Sequence, residues 1–334
     1  MTETPPSSTK PLPESWVRGA DFLGTQHAIL GGAMSWLSEH RLVGAISNSG
    51  GFGVIASGNM PPELFRQEIQ GTRKLTDKPF GVNLITMNPE LPDLVQVLLD
   101  EKVTHCVLAG GLPDQKTIGQ LKDSGVKVLL FAPSLALAKR LVSRGADALI
   151  IEGSEAGGHV GPVSTSVLVQ EILHHIDAVP VFAAGGIANG RMVAGLIQMG
   201  AAGCQLGTRF VCAQECVAHP AFKKAFIRAQ SRDAVVTSQF DPAFPVIPVR
   251  ALSNKGTLLF NELQAKLIRQ VKEEGRDRKE AQLELEKFWV GSLKKAAIDG
   301  DVEFGSVMAG QSVGLVKSIQ PVSEIMDELV SHIV

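Results

Sequence analysis

The strongest constraint on this chain is a recurrence. Short apolar runs bounded by Gly, Pro or Asp return along its first two thirds, at 28–33, 51–56, 79–85, 105–110, 126–133, 147–153, 179–186 and 201–208. Their starts lie roughly 20–30 residues apart, about the length of one strand–helix unit. Helix-like segments fill the intervals. Segment 135–144 places Leu135, Ala138, Leu141 and Val142 at helical spacing and Lys139, Arg140 and Arg144 elsewhere. Pro61-Pro62 opens 63–73, where Pro suits a first turn, and Asn189-Gly190 opens 191–199. Continuously apolar strands alternating with amphipathic helices require a parallel sheet covered on its faces. Eight such units over about 200 residues predict an α/β chain folded as a closed (β/α)8 TIM barrel. A doubly wound sheet is the competing fold. Its GxGxxG fingerprint is missing, and Ser49-Gly50-Gly51-Phe52-Gly53 precedes a strand instead of opening a helix.

After Phe210 the pattern changes. Segments 221–229 and 257–289 read as helices, the second dense in Glu, Lys, Gln and Leu, with one solvated face. Between them 240–250 carries Pro242, Pro245 and Pro248 and is expected to be extended. The expected organisation is a loose tail at 1–19, a barrel at 20–212, a mainly helical lobe over the barrel mouth at 213–317, and a helix at 318–334 returning to the barrel. The run Gly305-Ser306-Val307-Met308-Ala309-Gly310-Gln311-Ser312 interrupts the lobe. Its small residues suit either close approach to a ligand or a tight helix contact.

Composition removes several classes of partner. Hydrophobic residues at 44%, charged residues at 20% and a net charge of −2 over 334 residues describe a globular protein with ample core. They give no reason to expect nucleic acid or an anionic membrane surface. No apolar stretch reaches the ~18 residues of a membrane span. No secretory signal is visible at the N-terminus, and a cytoplasmic location is expected. Cys106 and Cys204 sit in strand-like runs as small hydrophobes. Cys212 and Cys216 are four apart on an expected helix, but no further ligands complete a set, so neither metal nor disulfide is expected.

The chemistry is expected at the strands' C-terminal ends. Glu152-Gly153-Ser154-Glu155-Ala156-Gly157-Gly158-His159-Val160-Gly161 follows the sixth run and surrounds one imidazole with glycines. Glycine lets backbone approach a flat or anionic ligand, and histidine moves protons near neutral pH. Gly185-Gly186 and Gly207-Thr208 end the seventh and eighth runs, where barrel enzymes commonly hold a phosphate on backbone N–H groups. Asn83, ending the third run, offers an amide that donates and accepts. The plainer alternatives are a turn cap for Asn83 and a satisfied core histidine for His159. Three glycine clusters at matching strand ends point to a cofactor site.

From about Ala28 to about Leu329 the chain resembles the flavin-dependent nitronate monooxygenase family, formerly the 2-nitropropane dioxygenases, which also contains enoyl-acyl-carrier-protein reductase II. The resemblance rests on Gly32-Ala33-Met34-Ser35-Trp36, Ser47-Asn48-Ser49-Gly50-Gly51-Phe52-Gly53, Asp77-Lys78-Pro79-Phe80-Gly81-Val82-Asn83 and the glycine clusters above. Gly300-Asp301 and 305–314 extend it. It implies a barrel binding FMN noncovalently. Asn83, Glu152, Gly157, Gly186, Gln205, Gly207 and Thr208 match the family's flavin contacts. Gly158 and Gly185 adjoin them, and Gly32, Ala33 and Met34 are expected beneath the flavin ring. His159 matches the family's catalytic histidine. Ala33 departs from the glycine many members carry. Glu152 stands where many nitronate monooxygenases have glutamine and the enoyl reductase branch has glutamate. The 305–311 run leans toward the same branch. With no tyrosine in the chain, any mechanism relying on lobe tyrosines is excluded.

Two reactions fit. In the first, favoured by family prevalence, the protein oxidises alkyl nitronates with oxygen, and His159 orients the nitronate or removes the α-proton of a neutral nitroalkane. In the second, NADH or NADPH is the reductant and an enoyl thioester on acyl carrier protein is reduced, with His159 protonating the α-carbon. Flavin binding without turnover, or a flavin-free phosphate-handling barrel, accounts for fewer of these residues. The expected partner is a small-molecule substrate, with a homodimer left open.

Overall fold

The structure is a computed structural model describing residues 11–58 and 60–333. Its strands in chain order are β1 (Ile29–Gly31), β2 (Phe52–Ala56), β3 (Phe80–Ile85), β4 (His105–Ala109), β5 (Lys127–Phe131), β6 (Ala148–Glu152), β7 (Gly158–His159), β8 (Val181–Ala184), β9 (Gly203–Leu206), β10 (Ala234–Val236) and β11 (Val249–Leu252). All but β7, β10 and β11 form one closed parallel barrel. Each of the eight apolar runs contains one of its strands. Closure is made by β1, whose Ile29, Leu30 and Gly31 register against Cys204, Gln205 and Leu206 of β9. The strands are buried almost throughout, as a sheet covered by helices requires.

Local chemistry starts several of the barrel helices. Asp114 accepts from Thr117 N at 2.7 Å and Asn189 from Met192 N at 3.0 Å, so a short polar residue after the strand caps the helix that follows.

The expected tail needs correction. Residues 1–10 lie outside the described set, but 14–19 belong to a helix, Glu14–Leu23. Its Trp16 is 2% exposed, and a Cβ on Gly19 would sit 1.8 Å from the Ala202 carbonyl oxygen. The Pro/Ser-rich composition of the first ten residues masked the amphipathic turn behind them. Under this helix lies the barrel floor. There His105 Nε2 donates to Phe22 O at 3.0 Å, while Nδ1 lies 2.9 Å from Thr104 Oγ1. Phe22 and Phe52 stand edge-on to the imidazole.

The expected single helix 257–289 is two, Lys255–Glu273 and Arg278–Ala297. Gly275 takes a φ of 70° between them, and Asp277 caps the second by accepting from Glu280 N at 3.0 Å. Their lobe has a small core of its own, centred on Phe260 and Trp289 with ring centroids 4.2 Å apart. Cys212 and Cys216 do not share a helix. The short helix Thr208–Val211 ends at Cys212. All four cysteines are buried free thiols, and burial pushes those of Cys212 and Cys216 up to about 11.

The lobe is tied to the barrel by an antiparallel sheet in the order β10–β11–β7, a feature that sequence patterning missed. Val249 pairs with His159 and Arg250 with Gly158. Helix Val322–Val330 lies against the barrel, where a Cβ on Gly190 would meet the Glu328 carbonyl oxygen at 2.4 Å.

Candidate active site

At the strands' C-terminal ends lies a cavity of about 300 Å³. Every residue singled out in the sequence lines it: Gly32, Ala33 and Met34 after β1, Asn83 on β3, Glu152 closing β6, Gly157, Gly158 and His159, Gly185 and Gly186 after β8, and Gln205, Gly207 and Thr208 at the end of β9. Eight strands converge on one mouth, so residues nearly 180 positions apart meet there.

Backbone conformation explains the glycine pair after β8. Gly185 and Gly186 take φ of 90° and 75°, in the left-handed region, and a Cβ on Gly186 would press to 3.2 Å from Glu155 Cβ. Gly157 has a second reason to be glycine. A Cβ there would lie 2.6 Å from Gly310 N, because the small-residue run from the lobe packs directly on it. That run is further fixed by Gly310 N donating to Thr208 Oγ1 at 3.0 Å and Gln311 N to Glu155 O at 2.9 Å. Met308 and Ser312 from the same segment line the cavity. The run also makes a tight helix contact, since a Cβ on Gly305 would lie 2.6 Å from Ala296 N of the helix Arg278–Ala297, so both expected features of the run are present.

The loop after β6 is held by two residues given no role above, Glu155 within the motif and Arg250 far outside it. Glu155 Oε2 accepts from Thr165 N at 2.9 Å, and Thr165 Oγ1 lies 2.9 Å from Gly185 O. The buried Arg250 guanidinium on β11 donates through Nε to Ser154 O at 2.9 Å. An acidic residue three positions after the strand end was the available signal for the first. Nothing local in the sequence marks the second. Phe131, Phe222 and Leu293 also line the cavity, and a side chain supplied across the fold leaves no motif.

The polar groups of the cavity are unevenly satisfied. Asn83 donates Nδ2 to Val107 O at 2.9 Å, which fixes its amide and leaves Oδ1 uncommitted. Among the described residues no hydrogen bond or ion pair reaches the side chains of Glu152 or Gln205. Gln205 is buried, and burial lifts the Glu152 carboxyl to about 7, far above the usual carboxylate range. At neutral pH the site thus holds a carboxyl group poised between its two protonation states. His159 is exposed at the rim, its backbone in β7. Outside the cavity, His40 Nδ1 lies 2.9 Å from Glu39 Oε2 and 2.7 Å from Glu68 Oε2, and Arg41 Nε shares Glu39, an ion cluster at a helix start.

Among the described residues no helix is long and apolar enough to cross a membrane. FabK from Thermotoga maritima superimposes with a TM-score of 0.84, at 39% identity over 94% of both chains. A (3aS,4S,5R,7aS)-5-hydroxy-7a-methyl-1-oxo-octahydro-1H-indene-4-carboxyl-CoA dehydrogenase from Rhodococcus jostii is 31% identical over 93% of this chain and 94% of its own. A probable nitronate monooxygenase from Staphylococcus aureus is 27% identical over 95% and 97%. The nitronate monooxygenase family model matches residues 18–94 and 92–332. With the barrel and its gathered mouth, this places the chain among oxidoreductases: it belongs to the nitronate monooxygenase family.

Proposed function

We propose that the protein is an FMN-dependent reductase of enoyl thioesters that draws its electrons from NADH or NADPH. One observation carries the choice. Both features that lean toward the enoyl reductase branch reach the same cavity as His159, Glu152 directly and the 305–311 run through Met308. The 39% identity with FabK, an enoyl-acyl-carrier-protein reductase II, points the same way. Nitronate oxidation remains the second reading, favoured by the family model and by the Staphylococcus relative.

The residues present suit a flavin mononucleotide. The left-handed Gly185-Gly186 turn with Gly207 and Thr208 offers backbone N–H groups to a single phosphate. Asn83 Oδ1, the Gln205 amide and the half-buried Glu152 carboxyl have no hydrogen-bond partner among the described residues, as the edge of a heterocycle with donors and acceptors requires. Met34 with Gly32 and Ala33 would lie against the ring. Bound there, a flavin supplies hydride transfer, which neither His159 nor any other side chain of the cavity can perform. The chain's own part is placement and proton supply. His159, on the rim and held by β7, would deliver a proton to the substrate α-carbon as the β-carbon accepts hydride. For a nitronate, the same imidazole would orient the nitro group.

Anaerobic mixing separates the readings. The yellow protein is expected to bleach with NADH or NADPH and to recover its colour on adding an enoyl thioester. Bleaching by propionate 3-nitronate alone, with no response to either nicotinamide, would overturn the proposal in favour of nitronate oxidation. A colourless protein that takes up no FMN would sink both.

A further inference from the structure

A second cavity, of about 360 Å³, adjoins the first. The two share one wall made of Ala109, Phe131, Glu152 and His159. From this wall the second cavity runs outward over the ends of β4 and β5. Phe131 faces the first cavity, so its neighbour Leu130 points to the opposite side of the sheet, toward the helix Leu135–Ser143. Leu137 and Leu141 of that helix line the far end beside Leu130, and Leu141 and Leu130 are each 1% exposed. Among the described residues, the only ionisable side chains on the cavity's surface are Glu152 and His159, both in the shared wall. Its polarity is therefore graded, with proton-handling groups at one end and aliphatic side chains at the other.

We propose that this second cavity is the binding site for the acyl chain of the substrate. The chain's reacting end would lie at the Glu152–His159 wall, and its hydrocarbon tail would run between β5 and the helix Leu135–Ser143. The inference rests on the enoyl thioester reading and deepens it. A small alkyl nitronate needs no apolar extension of this size, whereas a medium-length acyl chain fills one. The site selects for hydrocarbon and sets a length ceiling at Leu137 and Leu141.

Calorimetric titration of the flavin-loaded protein with saturated S-acyl-N-acetylcysteamine thioesters of four to twelve carbons tests this without turnover. Affinity is expected to rise roughly two- to fourfold per methylene and then to level off. Leu137→Trp is expected to move the plateau to shorter chains and Leu137→Ala to longer ones. Opposite shifts at one position distinguish a filled site from a general lesion, and Leu137→Ala alone decides the matter if the larger residue is not accommodated. Affinity independent of chain length would overturn the proposal, as would a plateau unmoved by either substitution. Failure of the functional reading looks different: no enoyl thioester of any length would restore the colour of the reduced protein.

Discussion

The floor and the mouth of this barrel bury titratable groups in opposite ways. At the floor, His105 has a partner for each ring nitrogen, Phe22 O and Thr104 Oγ1, with aromatic rings on its edges. Burial lowers its pKa to about 4, so the imidazole stays neutral and fully bonded. At the mouth, Glu152 is raised to about 7 by the same physical cause and meets no donor among the described residues. One end of the barrel is finished by its own chain. The other leaves polar groups unpaired where a ligand would complete them, which is how a binding site differs from a core.

Four substitutions put that contrast to the test. The largest effect is expected at the rim. His159→Ala should keep its flavin and lose ~10²–10⁴-fold in turnover, the usual worth of a placed proton donor. Reduction by NADH or NADPH should survive while enoyl reduction fails in stopped-flow traces. Wild-type rates on every substrate would make the imidazole structural.

Gly186→Val comes next. A β-branched residue at a φ of 75° costs roughly 1–2 kcal/mol, and its Cβ would also crowd Glu155. FMN affinity should fall about tenfold or more, as read by fluorescence titration of flavin-stripped protein. Unchanged affinity would put the phosphate elsewhere.

The two titratable groups give smaller effects of opposite sign. Glu152 holds its proton more tightly folded than unfolded, so its stability penalty grows as pH rises from about 4.5 through 7. Glu152→Gln should therefore gain on the parent by a few degrees of Tm at pH 8 and lose that gain near pH 4. His105 binds its proton less tightly folded, so the parent's stability falls as pH drops from 6.5 toward 4. In His105→Phe that fall should flatten, on a lower baseline because Phe22 O loses one of its two donors and keeps only Lys127 Nζ. Parallel pH profiles in the two variants would erase the floor–mouth distinction.

Much of this was legible before any coordinates. A barrel strand buried on both faces writes a continuous apolar run, and the eight runs located their strands to within a few residues. The glycine clusters named the mouth because left-handed backbone such as that at Gly185 and Gly186 admits few other residues. What stayed hidden was short or nonlocal. Two residues, Gly158 and His159, are too few to show strand alternation, and β10 and β11 are separated by a proline-rich loop that obscures their pairing. The break at Gly275 was lost because Lys and Glu crowd both flanking helices. The unpaired state of Glu152 depends on side chains assembled from several strands, and no window of sequence contains it.

The pairing of His159 with Val249 has a consequence for how this architecture can diversify. The backbone of His159 is a strand partner of the lobe, so the lobe is no detachable cover. Grafting a lobe from another family member would replace the strand that sets the imidazole's position along with the surface that greets the substrate. With His159 in its proposed role, specificity and proton delivery are inherited together, and substrate range in such barrels is expected to change by whole-lobe replacement accompanied by adjustment of 157–161, not by lobe exchange alone.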